Sequence, residues 1–108
     1  MTKDTEKAFV ILYSEYLRRR SFGTAKSQAA EFEDSKLRAI EAFSNWNPAD
    51  VGYCLQELQK LGYVQTDILG NVTLQEPGIE YMENKPEEYF SKFAGIVKGI
   101  AELIALFL

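Results

Sequence analysis

Apolar residues recur at spacings of three and four over residues 3–20, where Phe9, Leu12, Tyr13, Tyr16 and Leu17 form one stripe and predict a first helix. Ser21 to Thr24 breaks the pattern, and residues 24–32 read as a cover segment, a short helix or an irregular stretch with Ala29, Ala30 and Phe32 inward. Asp34 or Ser35 then caps a second helix over residues 35–43, with Leu37, Ile40 and Phe43 as its buried side. A third helix is predicted over residues 48–61. Asn47 is its N-cap, Pro48 suits the first helical position, and Val51, Leu55 and Leu58 fall on one side with Cys54 and Leu61 beside them. Gly62 follows where a left-handed residue commonly ends a helix. Tyr63 to Leu69 and Val72 to Gln75 are β-prone runs around Gly70-Asn71, which predicts a two-stranded hairpin over residues 63–75. A short helix is expected over residues 77–83.

From Pro86 the pattern changes again. Phe90, Phe93, Val97, Ile100, Ile104 and Phe107 repeat at alternating spacings of three and four, a heptad seam that predicts one helix over residues 86–108. Tyr89, Ile96 and Leu103 flank the seam on one side, and Ala94, Ala101 and Leu108 on the other. So wide a stripe is more than a domain of this size readily covers. The seam is expected to pack on the first helix and to pair with a second copy. Burial wholly within one chain and insertion at a membrane interface are the alternatives. Lys92, Lys98 and Glu102 interrupt the roughly 20 apolar residues that a spanning helix needs, so a membrane is not the expected partner.

Leu61-Gly62-Tyr63-Val64 directly after the third helix, followed by a hairpin, resembles the core of a winged-helix domain. The run Leu74-Gln75-Glu76-Pro77-Gly78-Ile79-Glu80-Tyr81-Met82 is similar to the L-T-x-x-G-x-x-Y-L segment that follows the wing in that family, with Gln75 in place of the threonine and Pro77 added. The resemblance spans residues 36–83 and extends to small winged-helix proteins of bacterial or phage type. It implies an α+β, mostly α fold: a winged-helix domain over residues 1–84 with a hairpin wing, and an added C-terminal helix over residues 86–108. It also implies a helix-turn-helix DNA-binding protein, a transcriptional regulator acting as a homodimer. A winged-helix module that binds another protein without nucleic acid is the alternative, because the fold serves both.

If the third helix is the recognition helix, its outer face carries Ala49, Tyr53, Gln56 and Lys60, bordered by Gly52 and Gln59 on one side and Asp50 and Glu57 on the other. The expected nucleic-acid contacts are therefore Tyr53, Gln56, Gln59 and Lys60, with Arg18, Arg19, Arg20 and Lys26 on phosphates. The arginine triplet also has a plainer reading, since cations complement a helix C-terminus. Charge weakens the DNA reading. Residues 1–64 hold nine Lys/Arg and nine Asp/Glu, residues 65–108 hold three against seven, and the net charge is −4. The hairpin carries Asp67 and no cation. Duplex binders of useful affinity neutralise on the order of 6–10 phosphates.

The chain has no histidine, which removes the commonest general base and most zinc sites. It also lacks a glycine-rich phosphate loop. No catalytic residue, metal ligand or cofactor is expected, and the protein is not read as an enzyme. The single cysteine, Cys54, lies on the inner side of a helix and reads as packing. Trp46 reads as cover for one end of the core. The polar N-terminus does not read as a signal peptide, and the cytoplasm is the expected compartment.

Overall fold

The computed structural model describes residues 1–107, and Leu108 lies outside the described residues. Helix α1 (Lys3–Ser21) starts at Thr2, whose hydroxyl accepts from the Thr5 N–H at 3.2 Å, and it ends in the three arginines. All five residues of the expected stripe are buried, but so are Ala8, Val10, Ile11 and Ser14. Residues 8–14 are consecutive, and at 100° per residue they sweep past every side of the helix. α1 is thus enclosed on all faces rather than amphipathic, and the rest of the chain wraps it.

α2 (Lys26–Ala29) is one turn, followed by a two-residue strand β1 (Glu31–Phe32). The expected cover segment therefore contains a strand, and Ala29, Ala30 and Phe32 are buried. α3 (Asp34–Arg38) is shorter than the helix read over 35–43. It closes through i+3 bonds, Ala39 N–H to Lys36 and Ile40 N–H to Leu37, and a separate 3-10 turn (Glu41–Phe43) follows. Leu37 and Phe43 are buried and Ile40 is half-buried, so the apolar pattern marked inward side chains correctly without marking one continuous helix. Trp46 is half-buried with its ring edge-on to Phe43, centroids 5.4 Å apart, closing that end of the core.

α4 (Pro48–Lys60) is capped by Asn47, whose Oδ1 accepts from the Ala49 N–H at 2.8 Å. Gly62 sits at φ +79, a conformation open to glycine, and the chain turns there so that the Tyr63 N–H reaches the Leu58 carbonyl. β2 (Val64–Thr66) and β3 (Val72–Leu74) form the expected hairpin. β1 adds to the outer edge of β3, so the sheet has three antiparallel strands in the order β1-β3-β2 rather than two. Phe32 pairs with Val72, and Val64 with Leu74. These four side chains face the core. A two-residue strand carries no alternation to read, which is why pattern alone missed β1.

α5 (Glu76–Glu83) packs against the start of the hairpin. Gly78 is buried there against Tyr63: a Cβ at this position would stand 2.5 Å from the Tyr63 carbonyl oxygen. The largest correction concerns residues 86–108, where one helix was expected. The chain instead forms α6 (Glu87–Ser91), a run of turns, and α7 (Ile100–Ala105). Gly99 lies at φ +73 and ψ +18, the left-handed region, and redirects the chain into α7. The bend lets α6 and α7 pack on each other while α7 also packs on α1. Phe90, Phe93, Ile100 and Ile104 are all buried within the chain, Val97 is half-buried, and Phe107 is 45% exposed. Four of the six seam residues are thus enclosed by their own chain, and only Val97 and Phe107 keep surface that a second copy could cover. Transfer of the enclosed residues from water is worth about 1.5–3 kcal/mol for each fully buried side chain.

The result is a mostly helical α+β fold with one three-stranded antiparallel sheet. Among the described residues no helix is long and apolar enough to cross a membrane.

Candidate recognition surface

α4 runs antiparallel to α1. Trp46, just before α4, shares a cleft with Arg18 and Arg19 from the end of α1. Glu57, near the other end of α4, accepts the Thr2 N–H at 2.9 Å and the Thr5 hydroxyl at 3.0 Å at the start of α1. These bonds, the Thr2 N–H first, hold the Glu57 carboxyl below its usual range. Cys54 is buried on the same side, and burial pushes its thiol up, away from the reactive thiolate.

The opposite side of α4 is open. Tyr53 is 62% exposed, and Ala49, Gln56 and Lys60 are exposed beside it. Gln59 is engaged: its Oε1 accepts from the Thr66 N–H at 2.7 Å and from the Thr66 hydroxyl, tying α4 to β2. Gln59 therefore ties the helix to the hairpin.

The four cations expected on phosphate have partners inside the chain. Arg18 lies on Glu15, with Nε 2.9 Å from Oε2. Arg19 donates to the Glu31 carbonyl at 2.6 Å and the Ala29 carbonyl at 3.3 Å, and its guanidinium lies 4.3 Å from the centre of the Phe32 ring. Its role is to clamp β1 to α1. Arg20 donates to the Thr24 carbonyl at 3.1 Å, and Lys26 stands 2.9 Å from Glu76. Arg20 and Lys26 border one hollow with Tyr16 and Glu83, and Arg18 and Arg19 border another. Glu57 of α4 is bonded at the start of α1 whereas the three arginines stand in its last turn, so the structure does not gather the eight residues into one patch.

The hairpin loop supplies what the sequence reading missed. Asp67 accepts from the N–H groups of Leu69 at 2.9 Å and Asn71 at 3.0 Å, and from the Asn71 side-chain amide at 3.0 Å. These bonds, the Asn71 N–H first, hold the Asp67 carboxyl below its usual range. Asn71 in turn accepts the Asp34 N–H at 3.0 Å, which anchors the loop to the start of α3. Gly70, at φ +85, lies so close that a Cβ would stand 2.7 Å from Asp34 Oδ1. Inside this hydrogen-bonded frame Ile68 is 101% exposed and Leu69 73% exposed. The tip is thus an ordered loop that presents two aliphatic side chains to water. Asp67 with Gly70-Asn71 was the available signal, since an aspartate at the head of a turn bonds to the amides that follow it.

Among the described residues no group of three or more acidic, cysteine or histidine side chains is placed to hold a metal ion. No protein-family model, no curated protein and no solved structure matches the chain.

Proposed function

We propose that the chain is a winged-helix module that recognises a partner protein through the outer face of α4 and the wing tip. The element order α1, β1, α3, α4, β2, β3 and the strand order β1-β3-β2 support the fold reading. The carrying observation is the wing tip, where Ile68 and Leu69 stand exposed on a loop fixed by Asp67. A wing that approaches phosphate would hold cations there; this one holds two aliphatic side chains and a carboxylate. Tyr53 on α4 adds the amphipathic aromatic surface in which protein interfaces are enriched.

The second reading is a DNA-binding transcriptional regulator acting as a homodimer, with α4 in the major groove. Gln56 and Lys60 favour it, being exposed on α4 and able to meet base edges and phosphate. Arg18, Arg19 and Lys26 count against it because carboxylates and carbonyls inside the chain already hold them.

The test is affinity capture with the wild-type chain and with a variant carrying Ile68→Asp and Leu69→Asp. Both positions are exposed, so folding stability is expected to change by no more than about 0.5 kcal/mol. A protein held by the wild type and released by the variant supports the reading. Equal retention by both sinks it.

A further inference from the structure

We infer that the cleft between α1, residues 39–46 and residues 94–98 binds a small organic anion with an aromatic or aliphatic body. The cleft measures about 1130 Å³, enough for a metabolite-sized molecule. Its two kinds of lining suit that chemistry. Trp46, Ile40 and Val97 offer apolar surface, and all three are half-buried rather than sealed. Four cations line the cleft, Arg18, Arg19, Lys36 and Lys98, against two carboxylates, Glu15 and Glu41. A chain of net charge −4 thus concentrates a local excess of positive charge at one concave place. Glu15 and the Ala29 and Glu31 carbonyls hold Arg18 and Arg19, so the charge open to a ligand is that of Lys36 and Lys98, which stand in no ion pair among the described residues.

An independent observation lies within the lining. Ser14 is only 4% exposed, and its hydroxyl has no hydrogen-bond partner among the described residues. Buried hydroxyls are nearly always paired, and an unpaired one bordering a cleft is an open polar position for an incoming group. Ser14 sits on α1, the most enclosed helix of the fold, so it would meet a ligand from a fixed position. An anionic head among the cations, an apolar body against Trp46 and a polar atom at Ser14 would satisfy all three features together. The inference does not depend on what α4 and the wing recognise.

Trp46 is the chain's one tryptophan, so its fluorescence reports on this cleft. The probe is anilinonaphthalene sulfonate, an aromatic anion, titrated beside phenylnaphthylamine, which has the same aromatic body without the sulfonate. The expected result is saturable quenching of Trp46 at one anion per chain, with the neutral probe bound about tenfold more weakly. Lys36→Glu and Lys98→Glu are each expected to weaken the anion by roughly three- to tenfold while leaving the melting curve unchanged. Ser14→Ala serves as a third variant with the hydroxyl removed. Absence of quenching, equal binding of the two probes, or charge variants that bind like the wild type would each overturn the inference. So would a dimer in solution that Lys98→Glu splits, since the cleft would then hold a second copy.

Discussion

Gly78 and Glu57 show how single residues set the contacts on which the surface rests. Gly78 lets α5 lie against Tyr63, and Gly78→Ala would drive a Cβ to 2.5 Å from a backbone oxygen that has no easy way to move. Overpacking of this kind costs about 1–3 kcal/mol, so chemical unfolding of the alanine variant should begin at clearly lower denaturant. Glu57 joins α4 to the start of α1 through the Thr2 N–H and the Thr5 hydroxyl. Because these bonds lower its folded pKa, its stabilising effect is complete above the ordinary value of 4.5 and fades as pH falls through the lower folded value. Glu57→Gln should therefore melt at a lower temperature than the wild type near neutrality. The gap should narrow as the pH is lowered below 4.5, and a gap that stays constant as the pH falls would remove the ionic part of the explanation.

At the level of elements, the C-terminal segment is the decisive piece. Its alternating apolar positions are what a two-chain seam would show, and they are equally what a segment folded back on its own chain shows. Periodicity reports which side chains avoid water, not whose surface covers them. Gly99 separates the two outcomes, since its left-handed backbone ends any continuous helix. Ile100→Ala should accordingly cost about 2–5 kcal/mol at every protein concentration, as a core cavity does. A loss that shrinks on raising the concentration would instead put Ile100 between two chains. The same limit governs the other elements. α1, α4 with its Asn47 cap, the hairpin and the inward faces were legible because each has length, caps or alternation. β1 was not, having only two residues, and neither was the early end of α3, where Leu37, Ile40 and Phe43 keep helical spacing across a broken helix. The candidate surface was legible on α4, where Tyr53, Gln56 and Lys60 face out as helical spacing requires. It was illegible at the hairpin loop, where Ile68 and Leu69 extend a β-prone run and the Asp67 hydrogen bonds instead hold a loop that leaves them exposed.

Across the whole molecule, charge is divided between structure and one concave place. Arg18, Lys26 and Arg38 stand in ion pairs on the surface, and Arg19 is fastened over Phe32. The open face of α4 and the hairpin tip are left with Tyr53, Gln56, Lys60, Ile68 and Leu69. That division is the basis for preferring a protein partner over a nucleic acid. The most direct test titrates the chain against random duplex DNA at salt concentrations from about 50 to about 200 mM. Protein recognition predicts no binding that depends on salt. An affinity that falls about a thousandfold or more over that range would mean that several phosphates are being neutralised, and would contradict it.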